Sequence, residues 1–142
     1  MDQRITIVTL GVASVPAARR FYEALGWTAS SASQGEDVAF FQLNGMALSL
    51  YGRAALAADA AVADSTPGFS GVTLAQNLAS PEAVDEVFAK ALATGARQLK
   101  APETAFWGGY SGYLADPDGH VWELAHNPFF PLDPDGNLVL PA

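Results

Sequence analysis

Glu123 is a carboxylate set between Trp122 and Leu124, and the chain's two histidines, His120 and His126, stand three residues to either side of it. Imidazole and carboxylate are the ligand types that hold zinc or nonheme iron. Strand periodicity argues against one shared site. It puts His120, Trp122, Leu124 and His126 on one face and Val121, Glu123 and Ala125 on the other. Glu123 by itself is a candidate general acid or base, because burial favours the neutral carboxyl and raises its pKa. A salt bridge with a nearby arginine, or a place on the outer face of the sheet, is the plain alternative. A second stretch, Trp107-Gly108-Gly109-Tyr110-Ser111-Gly112-Tyr113, joins aromatic rings to glycines that let backbone approach a ligand closely. Trp107, Tyr110 and Tyr113 are its candidate ligand contacts, and a bulged strand with core aromatics is the alternative. Phe40, Phe41 and Tyr51 carry the same double reading. The chain has no nucleophile elbow, phosphate-binding glycine loop or dinucleotide fingerprint. Asp133-Pro134-Asp135-Gly136 repeats the tetrapeptide Asp116-Pro117-Asp118-Gly119 and is a turn, since a calcium loop spreads its ligands over about 12 residues.

Elements to position these groups are legible along the chain. Ile5 to Val12 is β-branched and apolar, which suits a mostly buried strand. Ser14 is an N-cap ahead of Pro16, and Ala17, Ala18, Phe21, Tyr22 and Leu25 recur at helical spacing until Gly26. A weak strand is expected up to Ser33, and a turn at residues 34–37. Val38 to Leu43 and Met46 to Tyr51 form a hairpin about Asn44-Gly45, a pair that favours positive φ at both residues. The Ala-rich stretch Arg53 to Gly68 reads as a linker with room for a short helix. The pattern then restarts: a strand over Val72 to Leu78, a helix start at Ser80-Pro81-Glu82 with an apolar face ending at Gly95, and an extended stretch from Arg97 to Lys100. Trp107 to Leu114 and His120 to His126 are the last two strands. Asn127-Pro128-Phe129-Phe130-Pro131-Leu132 is expected to cap the sheet or a partner subunit.

Composition narrows the function classes. Of 142 residues, half are hydrophobic and 15% charged, enough to form a core. Seven Lys and Arg against 15 Asp and Glu give a net charge of -8, a field that opposes binding to nucleic acid or to an acidic membrane surface. No cysteine is present, so disulfides, thiolate-bound zinc and a cysteine nucleophile are excluded. No spanning helix or secretory leader is apparent, and a cytoplasmic protein is expected.

The two halves repeat. An offset of 66 aligns Ala13, Ser14 and Ala17 with Ala79, Ser80 and Ala83, and an offset of 74 aligns Gly45 and Leu50 with Gly119 and Leu124. The expected fold is α+β: a single domain over residues 1–142, with βαβββ modules at 4–52 and 69–127, a linker at 53–68 and a tail at 128–142. Two such curled sheets side by side would enclose a cup. Leu10-Gly11-Val12, Arg20-Phe21-Tyr22-Glu23-Ala24-Leu25-Gly26-Trp27 and Asp116-Pro117-Asp118-Gly119-His120-Val121-Trp122-Glu123-Leu124 resemble the vicinal oxygen chelate superfamily, which groups glyoxalase I, bleomycin-resistance proteins and extradiol dioxygenases.

The resemblance implies a divalent metal held by side chains from the first and last strands of each module. It names Ile7, Ser49, Thr73 and Glu123 as the corresponding positions. Only Glu123 is a good ligand, so no metal and no other cofactor is expected. The leading expectation is a metal-independent protein that binds a small apolar or aromatic molecule through Ser49, Tyr51, Thr73, Trp107, Tyr110, Tyr113 and Glu123. A divalent-metal-dependent lyase, isomerase or dioxygenase with Glu123 as ligand is the alternative, and a metal-free enzyme with Glu123 as catalytic base is a third. Relatives commonly pair, so a homodimer is expected.

Overall fold

The computed structural model describes residues 1, 3–65 and 68–140. Asp2, Thr66, Pro67, Pro141 and Ala142, which fall in the expected lead-in, linker and tail, lie outside the described residues. The chain divides into two compact units, Met1–Ser70 and Gly71–Ala142.

In the first unit, β1 (Ile7–Val12) leads into α1 (Val15–Ala24), followed by β2 (Val38–Gln42), β3 (Ala47–Gly52) and α2 (Arg53–Asp59). The sheet order is β1-β3-β2, with β1 parallel and β2 antiparallel to β3. Ser14 caps α1 as its sequence suggests, its hydroxyl accepting from the Ala17 amide at 3.3 Å. One face of α1 buries Val15, Ala18, Phe21 and Tyr22 against Leu10, Val12, Ala39, Phe41, Leu48 and Leu50. Tyr22, Trp27 and Phe41 form a ring cluster, with centroids 5.2 to 5.8 Å apart. Burying each such side chain contributes roughly 1.5–3 kcal/mol.

The second unit repeats this layout with β4 (Leu74–Asn77), α3 (Pro81–Ala93), β5 (Arg97–Thr104), β6 (Tyr110–Ala115) and β7 (Val121–His126), in sheet order β4-β7-β6-β5. Ser80 caps α3 as Ser14 caps α1. Val84, Phe88 and Ala91 pack with Leu114 and Leu124 in its core.

Several expectations are corrected. The weak strand before Ser33 reduces to one bridge, Ala29 to Phe41, because Gly26 and the polar run after Trp27 leave little to pair. At the hairpin only Gly45 adopts positive φ, at 70°, while Asn44 does not. The tip is held instead by the Gln42 side-chain amide, which donates to the carbonyls of Leu43 (2.7 Å) and Met46 (3.0 Å). The start of the expected linker is helical, α2, whose Ala-rich sequence favours that state. β4 begins at Leu74, so Thr73 precedes it, and β6 begins at Tyr110, so Trp107 lies in a turn. β5 runs on to Thr104, past Lys100, through an irregular pairing with β6. Phe129 and Phe130 are exposed rather than docked on the sheet of their own chain, and the tail folds on itself through the Leu132–Leu138 bridge and the Asp133 turn.

Candidate functional site

Strand alternation divides the first sheet. Leu10, Val12, Ala39, Phe41, Leu48 and Leu50 face α1, which leaves Ile7, Thr9, Val38, Phe40, Ser49 and Tyr51 for the opposite face. Those six line an open groove of about 1000 Å³. Its walls are residues 13–16 at the start of α1, the loop bearing Gln34, Glu36 and Asp37, and α2 through Ala55, Leu56 and Asp59. Gly11 lets α2 seat on the sheet here: a Cβ at that position would stand 3.3 Å from both Arg53 Cα and Leu56 Cδ2. Arg53 anchors the start of α2 through a 2.7 Å ion pair with Asp64.

The polar groups of the groove are sparse. Ser49 is 2% exposed and is flanked by Thr9 on β1 and Phe40 on β2. Among the described residues its hydroxyl has no hydrogen-bond partner, and no fully enclosed side-chain oxygen or nitrogen lacks one. The Ser49 oxygen therefore opens onto the groove. Glu36, Asp37 and Asp59 supply negative charge, and no lysine, arginine or histidine lies in the lining.

On the second sheet, Glu123 and Tyr113 are cross-strand partners on β7 and β6. Burial, and then the hydrogen bond it donates to the Glu123 carboxylate, raises the Tyr113 phenol above its ordinary 10.0. Tyr110 belongs to the other face, where its hydroxyl donates to Asp85 of α3 at 2.8 Å. That hydrogen bond, followed by burial, raises its pKa too. Trp107 is 42% exposed and folds its indole over Gly109, where a Cβ would lie 1.8 Å from the ring. Thr73 is exposed ahead of β4. His126 Nδ1 lies 3.1 Å from the Leu78 carbonyl, and the His120 amide donates to Asp116.

The structure thus brings Ser49 and Tyr51 together in one groove and pairs Tyr113 with Glu123. It does not gather Trp107, Tyr110 and Tyr113 into one lining, because alternation sends the two tyrosines to opposite faces. Thr9, Val38 and the α2 residues were missed by sequence reasoning. Alternation of Ile7, Thr9 and Gly11 against Val8, Leu10 and Val12 is the signal that marks the face of Thr9.

The metal implied by the resemblance was tested against the donor chemistry. Ile7 offers only carbon, Ser49 and Thr73 offer neutral hydroxyls, and Glu123 donates from a strand whose histidines face the other way. Among the described residues no three His, Cys, Asp or Glu side chains converge. These residues do not fit a family-type metal centre.

A family model described as Glyoxalase/Bleomycin resistance protein/Dioxygenase superfamily matches residues 4–124. Among solved structures, a glyoxalase-related enzyme from Fulvimarina pelagi is 34% identical with a TM-score of 0.88, and the match covers 99% of this chain and 100% of that one. Protein ATC0852 from Agrobacterium tumefaciens is 31% identical with a TM-score of 0.70, over 88% of this chain and 98% of its own. A lactoylglutathione lyase from the same organism shares the fold at 21% identity and a TM-score of 0.65, over 89% and 96%. Comparison with curated proteins finds no match.

Proposed function

The chain belongs to the glyoxalase/bleomycin resistance protein/dioxygenase superfamily, and we propose on that premise that it binds a small apolar or aromatic molecule without a metal. The groove over β1, β3 and β2 carries the proposal. Its size suits a small organic ligand, and its floor joins the hydrocarbon of Ile7, Val38 and Phe40 to the hydroxyls of Thr9, Ser49 and Tyr51. An aromatic body displaces water from the apolar floor, and one hydrogen-bonding group on it meets Ser49. The missing ligand set supports binding that needs no divalent ion. The second face, where Glu123 on β7 is the cross-strand partner of Tyr113 on β6, is kept for a supporting role.

The test is calorimetric titration of chelator-treated, untagged protein with 2-naphthol, repeated with added Zn, Ni, Mn and Fe(II) and with Ala55→Trp. Ala55 is exposed on the groove wall, so the indole fills the groove while leaving the core alone. Saturable binding that ignores metal and disappears in Ala55→Trp is expected. Binding only after metal addition, or undiminished binding in Ala55→Trp, overturns the proposal and turns attention to a metal-dependent reaction at Glu123.

A further inference from the structure

We propose that the groove selects organic cations: ligands with an apolar ring body and a protonated amine. The inference rests on the groove being the binding site and adds the charge of its occupant. Two independent observations support it.

The first is the unbalanced charge of the lining. Glu36, Asp37 and Asp59 are its only carboxylates, and it contains no cationic side chain. None of the three carboxylates takes part in an ion pair among the described residues, where the pairs are Arg19–Glu23, Arg53–Asp64 and Lys100–Glu103. Their charge is therefore left to water and to whatever enters the groove. The net charge of -8 adds a field of the same sign.

The second is Ser49. Ser49 is 2% exposed as a residue, and its hydroxyl, which opens onto the groove and has no partner among the described residues, is a polar group waiting for a ligand. Ser49 Oγ accepts from or donates to a hydrogen-bonding group on the ligand and fixes its orientation on Phe40 and Ile7. The ammonium then projects toward the carboxylates. An anion of the same shape meets the same floor and hydroxyl, but like charge at the walls opposes it.

Three naphthalene probes with one ring body separate charge from shape: 2-naphthylmethylamine, 2-naphthylmethanol and 2-naphthoate, titrated into the full chain at neutral pH in low and high salt. The amine is expected to bind about tenfold more tightly than the carboxylate at low salt, with the alcohol between them. High salt should compress the series, because exposed charges are screened. The triple variant Glu36→Gln, Asp37→Asn, Asp59→Asn should bring the amine to the level of the alcohol, while Ser49→Ala should weaken all three. These three acidic residues are exposed, so the triple variant preserves the core. Equal affinities, or preference for the carboxylate, overturn cation selection and leave the groove as the binding site. Failure of all three probes to bind overturns the groove itself.

Discussion

Thr9 lies beside Ser49 in the parallel strand pair of the first unit, and Ala75 lies beside Glu123 at the matching place in the second. The two pairs are related by the same offsets that align the sequence halves, so the backbone repeat extends to hydrogen-bond register. The side chains diverge. The first unit has a buried hydroxyl over an open groove, whereas the second has a carboxylate tied to a tyrosine. Beneath the sheets the cores differ as well: rings gather under α1, and mainly aliphatic side chains under α3. A repeated frame holds positions, and the residues placed there decide whether a position binds, ionises or packs.

The core difference can be broken first. Phe41→Ala should cost about 3–5 kcal/mol, and more than Phe88→Ala, because Phe41 loses ring contacts with Tyr22 and Trp27 as well as buried area. Chemical denaturation of both variants measures this, and equal losses would remove the distinction between the cores. Gly112→Ala should cost about 1–3 kcal/mol by the same assay. Its Cβ would fall 2.8 Å from Pro102 N and 3.0 Å from the Phe88 ring, where β6 passes between β5 and α3.

The two Asp-Pro-Asp-Gly turns sharpen the comparison within the second unit. Asp116 is buried and its Oδ1 accepts from the amides of Asp118 and His120, while Asp133 makes the matching bonds to Asp135 and Asn137 in the exposed tail. Asp116→Ala should cost about 1–3 kcal/mol and be rescued by Asn, whereas Asp133→Ala should leave the unfolding midpoint almost unchanged. The smallest effect is expected at Tyr113. Its raised pKa means that the folded protein keeps a proton the unfolded chain releases. That contribution to stability is complete below the ordinary value of 10.0 and is lost as pH rises through the folded value. Tyr113→Phe should remove a late phase from the tyrosinate absorbance titration and flatten the alkaline limb of stability.

The helices and most strands were legible because their signals are local. Ser14-Val15-Pro16 and Ser80-Pro81 announce caps, and the β-branched apolar run announces β1, although the strand starts at Ile7 and is half-buried where a mostly buried one from Ile5 was expected. The face of Glu123, opposite the histidines, was equally readable from period two. The groove was not, because its walls come from α2 and the 34–37 loop, which are brought to β1 and β3 by packing such as the close approach at Gly11. The failure of Trp107, Tyr110 and Tyr113 to converge has a related cause. A turn holding an indole over Gly109 and a strand sending its tyrosines to opposite faces look alike in composition.

Metal content of untagged protein, measured by plasma mass spectrometry as purified and again after incubation with Zn, Ni, Mn and Fe(II), tests most directly whether the chain works without a metal. The expected result is no stoichiometric retention of any of the four after desalting. One tightly held equivalent that disappears in Glu123→Ala would contradict metal-independent binding and make Glu123 a ligand.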